Sequence, residues 1–183
     1  MAELTARQRI LAGAMTIVGT DGVVAVSNRR IAAVAEVSLG SITYHFPTQT
    51  ALLREALLGF VTEETERLTE LAQRYRDQRI DLARAAALTS QIAKDLAFTE
   101  GQFASFELYL HAGRDASLQS AAAACFAAYD QLSVTILEAL GVPGAAELAP
   151  TLVATITGLQ LRRLATGAKD LDISAALIAL LTR

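Results

Sequence analysis

Apolar residues recur along this chain at three- and four-residue spacing, the mark of helices that bury one face. Ile10, Ala14, Ile17 and Val18 form the first stripe. Thr5 and Gln8 ahead of it have the form of a capping box, in which a hydroxyl and an amide satisfy each other's backbone donors. Thr20, Asp21 and Gly22 close that helix, and Val24 and Val26 are expected to pack beneath the next one. Between Ser27 and Phe46 the pattern predicts two short helices joined by a tight turn, capped by Ser27 and Ser38. Ile31, Ala35, Val37, Ile42 and Phe46 fall where the pair would bury them against a third helix.

Thr48, after Pro47, is placed to cap a fourth helix. Its stripe runs from Leu52 and Leu53 through Leu57, Val61 and Leu68 to about Tyr75. Such a helix would be about 40 Å long at 1.5 Å per residue, a rod able to carry a shift between domains. Further helices are predicted from Asp81 to about Thr99, from Gln102 to about His111 and from Asp115 to Leu140. Two more follow, from Ala145 to Ala165 with a restart near Pro150, and a last one through Leu177, Ile178, Leu180 and Leu181. Strand-like alternation is missing throughout. The expected fold is all-α with about nine helices: a three-helix domain over residues 1–47 and a helical bundle over 48–183.

Composition agrees. The 183 residues are 52% hydrophobic but only 5% aromatic, with no Trp, which favours helix over sheet. Net charge is −3, yet the first 48 residues carry +1 and the remainder −4. An N-terminal segment at +1 is a modest electrostatic footprint for nucleic acid, doubled in a dimer. Cys125, the sole cysteine, excludes an intrachain disulfide, suits a reducing cytoplasm and is expected to be a buried hydrophobe. No run of about 18 uninterrupted apolar residues occurs, so no membrane span is expected, and Met1 to Leu4 lead into a capped helix without a signal peptide.

The short helix pair is the most specific segment. Its exposed strip, Ser38, Gly40, Ser41, Thr43, Tyr44 and His45, lacks bulk and is rich in hydrogen-bonding groups, as entry into a DNA major groove requires. The string Arg30-Ile31-Ala32, Ala35, then Val37-Ser38, Gly40-Ser41-Ile42, Tyr44-His45-Phe46 and Leu52-Leu53 resembles the TetR family of bacterial transcriptional regulators. Arg9-Ile10-Leu11, Ala14 and Gly22 extend the resemblance over about the first 55 residues. Two positions depart from it. Glu36 stands where the family places Gly before Val-Ser, and a non-glycine in left-handed conformation there costs on the order of 1 kcal/mol. Gln49 stands where these proteins commonly carry Lys, which predicts a shallower salt dependence of DNA binding.

The resemblance implies a DNA-binding transcriptional regulator, usually a repressor, that works as a homodimer on a palindromic double-stranded operator. DNA contacts are expected from Ser27, Asn28 and Arg29 at the first short helix, from Ser38, Leu39, Gly40, Ser41, Thr43, Tyr44 and His45 at the second, and from Thr48. Gly40 would let the backbone approach closely, Leu39 would meet a thymine methyl, and Tyr44 and His45 would bond phosphate. Arg30 either joins them or instead faces the core edge or an acidic partner. The last two long helices would form the dimer bundle. An effector pocket would draw rings from Phe98, Phe103, Phe106, Tyr109, His111, Phe126 and Tyr129, and the sparse charge suggests a small, mostly apolar effector. The alternative is a bundle that docks another protein. Catalytic motifs, metal-ligand spacing and cofactor signatures are missing, and His111 near Asp115 does not make an active site.

Overall fold

A computed structural model describes residues 4–76, 81, 83–87, 90–91, 99–168 and 173–181. All secondary structure among the described residues is helical: α1 (Ala6–Asp21), a 3-10 turn (Val23–Ala25), α2 (Asn28–Ala35), α3 (Leu39–His45), α4 (Gln49–Arg76), α5 (Glu100–Ala112), α6 (Ala116–Ala139), α7 (Ala145–Thr166) and α8 (Ile173–Leu181). Residues 83–87 are helical as well, within the segment predicted from Asp81 to Thr99. The chain forms two compact units, one of Met1–Thr62 with Thr99–Cys125 and one of Glu63–Phe98 with Phe126–Arg183. The boundary expected at 47/48 falls inside the first.

In the first unit, α1 starts at the capping box: Thr5 N–H donates to Gln8 Oε1 at 2.9 Å and Gln8 N–H returns to the Thr5 hydroxyl at 3.3 Å. Ile10, Ala14, Ile17 and Val18 are buried with Ile31, Ile42, Leu52, Leu57 and Leu108. α5 lies so close to α1 that a Cβ on Gly19 would stand 2.2 Å from the Glu100 carbonyl oxygen. A Cβ on Gly101 would stand 2.7 Å from the Phe60 ring of α4. These two glycine-scale approaches cannot be read from hydrophobic spacing. The expectation for Val24 is corrected: it is 97% exposed, while Val23 and Val26 are buried. A 3-10 turn has three residues per turn, so Val23 and Val26 share its inner side and Val24 faces out. Val37 is only half-buried.

The second unit has its own core of Ala86, Leu137, Ala145, Ala149, Leu152, Ile173 and Leu177, flanked by Val134, Ile156 and Ile178. α7 begins after Gly144 and ends at Gly167, both left-handed with φ of 69° and 67°. Its restart at Pro150 does not occur: the helix runs through that proline, which stands near its start and deletes a single backbone donor. Arg163 is buried and Leu161 is 43% exposed. Asp170 and Asp172, which follow α7 in the sequence and would be candidate partners for Arg162 or Arg163, lie outside the described residues. By length and composition alone, α6 is apolar enough to cross a membrane. Here Leu118, Ala121, Cys125, Leu132 and Leu137 of that helix are buried in protein, and Ser, Gln and Asp interrupt the apolar run.

Candidate nucleic-acid interface

Each short helix begins on its own serine. Ser27 Oγ accepts from the Arg30 amide at 3.3 Å and Ser38 Oγ from the Ser41 amide at 3.1 Å. Thr48 Oγ1 accepts from the Ala51 amide at 3.0 Å and starts α4. These hydroxyls answer orphan donors at helix starts, where the helix dipole also favours an anion.

The turn between α2 and α3 is built on Glu36, which adopts φ 53° and ψ 47°. It is the one non-glycine with positive φ among the described residues. The Val37 amide reaches back to the Ala32 carbonyl at 3.1 Å, the helix-ending bond that normally relies on glycine at this position. Arg9 of α1 donates from Nη1 to the Glu36 carbonyl at 3.3 Å. The expected strained turn is therefore present, and a guanidinium from another helix holds it.

α3 presents its face as the sequence suggests. Leu39 is 50% exposed and Tyr44 84% exposed. Ser38, Gly40 and Thr43 are exposed too, while Ser41 and His45 are half-buried. Only Ser38 Oγ lies within 4 Å of the place a Gly40 Cβ would occupy, at 3.8 Å, so the glycine leaves open space at the helix entry. The Thr43 hydroxyl donates to the Gly40 carbonyl at 3.1 Å. The Tyr44 and His45 rings meet edge-on with centroids 5.1 Å apart. On the far side Ile42 and Phe46 are buried. Arg7 lies over the Phe46 ring, 5.4 Å from its centroid, and pairs with Glu55 of α4.

Ser27, Asn28, Thr43, Pro47, Thr48 and Gln49 line an open cleft of about 340 Å³ between the starts of α2 and α4 and the end of α3. Asn28 is exposed at its α2 side, and the next residue of α2, Arg29, is exposed as well. Arg30 takes the second of its two expected roles and pairs with Asp21, which holds that carboxyl below the usual range. Gln49 donates from Nε2 to the Val26 carbonyl at 3.2 Å. Its amide thus ties α4 to the loop before α2, a role the sequence did not reveal.

The rings expected to line an effector pocket come from both units. Phe103, Phe106, Tyr109 and His111 belong to the first unit, Phe126 and Tyr129 to the second, and Phe98 lies outside the described residues. Phe103 is 37% exposed rather than enclosed. Phe106 and Tyr109 pack edge to face at 6.4 Å. Burial pushes the Cys125 thiol up to about 11, which leaves it protonated and inert. No group of three or more His, Cys, Asp or Glu is placed to hold a metal among the described residues.

Two capped helices set around a tight turn, with an exposed second helix, define a helix-turn-helix DNA-binding protein. Residues 10–56 match the family model for bacterial regulatory proteins of the tetR family, and residues 79–183 match that of the tetracyclin repressor-like C-terminal domain. The chain belongs to the TetR family of transcriptional regulators, which are not enzymes. Among solved structures it is similar to a TetR-family member from Streptomyces coelicolor A3, at 29% identity and a TM-score of 0.77, covering 97% of this chain and 99% of that one. It is also similar to the multidrug binding protein EbrR in complex with ethidium, at 28% identity and a TM-score of 0.77 over 97% and 99% of the two chains. No match is found among curated protein sequences.

Proposed function

We propose that this regulator is a cytoplasmic homodimeric repressor that reads a palindromic operator through α3 and leaves it when a small effector binds. The observation that carries the reading is the α3 face: Leu39 and Tyr44 stand in solvent beside an open Gly40, next to a cleft lined by helix-start hydroxyls. Leu39 would meet a thymine methyl, and Tyr44, Ser27 and Thr48 would bond phosphate. The half-exposed Leu161 and the open space over Gly158 on α7 support a second copy packing there, since small residues let helices approach. Structures of EbrR with ethidium, malachite green and proflavin support a ring-bearing effector.

Release would work by differential binding: the effector favours a dimer whose two α3 helices no longer match half-sites one helical turn apart. Within the first unit, Gly19 against Glu100 leaves α1 no slack when α5 moves. Selection of bound duplexes from a random DNA pool tests the proposal. A palindromic motif is expected. No enrichment, with Arg29→Ala and Tyr44→Ala leaving DNA affinity unchanged, would overturn it.

A further inference from the structure

Asn28 opens α2 and lines the cleft together with Thr43 of the recognition helix α3, and both are exposed. Arg29, the next residue, is exposed but does not line the cleft. The neighbouring long donors are already engaged: Gln49 by the Val26 carbonyl, Arg9 by the Glu36 carbonyl and Arg30 by Asp21. The Asn28 side chain makes no hydrogen bond among the described residues. Its amide therefore brings both a donor and an acceptor to the cleft. α3 supplies no such pair, because Leu39–His45 contains no Arg, Lys, Asn or Gln. Those four side chains are the ones that read guanine or adenine through two hydrogen bonds at once. A helix without them reads bases through methyl contacts and single hydroxyl bonds. Leu39 and Thr43 lie one turn apart on α3, both exposed and both carrying methyl groups. The Thr43 proton is engaged by the Gly40 carbonyl.

From this juxtaposition we infer that Asn28 is a specificity-determining residue whose amide reads one adenine in each operator half-site. This assignment rests on the operator reading proposed above and names the base that it recognises. The amide oxygen accepts from the adenine N6 amino group while the amide nitrogen donates to N7. Guanine presents acceptors at both O6 and N7, so the amide oxygen would face an acceptor there and the paired bonds are lost. Thr43, lining the same cleft with its proton already engaged, suits the thymine of that pair or of the next through its methyl group.

Fluorescence anisotropy of the full chain on its selected palindrome, with each base pair of the half-site exchanged in turn, tests this. Wild type should show an A·T pair in each half-site whose exchange for G·C weakens binding about tenfold or more. Asn28→Ala should flatten that position to about threefold or less and leave the preferences elsewhere in place. 7-Deazaadenine, which lacks the N7 acceptor, should weaken wild type at that adenine and leave the affinity of Asn28→Ala unchanged. An Asn28→Ala chain with every base preference intact would overturn the inference. So would one that loses affinity equally on all sequences, the mark of a phosphate contact. In both of those cases, selection of a palindrome by wild type still upholds the operator reading; failure to select one overturns both. If Asn28→Ala does not melt cooperatively, Asn28→Ser takes its place: a flattened adenine position supports the inference, and an intact profile overturns it.

Discussion

Arg9 reaches from α1 to the main-chain carbonyl of Glu36, 27 positions on, and so fastens the one left-handed non-glycine turn among the described residues. The contact joins the first helix of the domain to the turn that aims the recognition helix. Glu36→Gly should relieve the left-handed strain and raise stability by about 1 kcal/mol. Arg9→Ala should lower it by about 1–2 kcal/mol, the scale of a hydrogen bond from a charged donor. Urea denaturation measures both. Arg9→Ala should also weaken operator binding without itself touching DNA, because α3 loses its fixed angle.

Two glycines on neighbouring helices should respond in opposite directions. Gly19→Ala places a methyl 2.2 Å from the Glu100 carbonyl oxygen and must push α5 away from α1. A cost of about 1–3 kcal/mol is expected for such overpacking. Gly59→Ala in α4 meets nothing within 4 Å. Helix propensity then dominates and stability should rise by about 0.5–1 kcal/mol. Thermal melts of the two variants check the sign of each.

Operator binding should separate charge from shape. Tyr44→Phe keeps the ring against His45 and removes only the exposed hydroxyl, so affinity should fall by about 1 kcal/mol with an unchanged salt slope. Gln49→Lys removes the amide that donates a hydrogen bond to the Val26 carbonyl and places a cation at the edge of the cleft. It should steepen the dependence of log affinity on log salt by about 0.9 per phosphate contacted. Fluorescence anisotropy across a salt series reads both slopes.

Glu64 should make stability depend on pH with a definite sign. Its carboxyl titrates above the ordinary value of 4.5 because burial penalises the charged form more than Tyr129 and Arg67 favour it. A group raised in the folded state contributes most when protonated, and that contribution is lost as pH rises through its folded value. Glu64→Gln should therefore raise the melting midpoint at neutral pH, with the gain shrinking as pH falls toward 4.5. Melting curves across that range test it, and a gain that grows on acidification would contradict the burial argument.

What the sequence determined by itself is local. The caps at Thr5, Ser27, Ser38 and Thr48 join groups three positions apart, and the buried stripe of Ile10, Ala14, Ile17 and Val18 follows from helical period alone. That was enough to establish the all-α fold and the helix-turn-helix, because capping and periodicity are set by near neighbours. Tertiary structure decided the rest. Arg9 and Glu36 are 27 positions apart, Gln49 and Val26 are 23, and Glu64 and Tyr129 are 65. Spacing does not reveal which polar side chains helix packing will bring together, nor that Gly19 will face the backbone of Glu100. Phe103 and Val24 turned outward for the same reason: an apolar side chain is buried only where another element arrives to cover it.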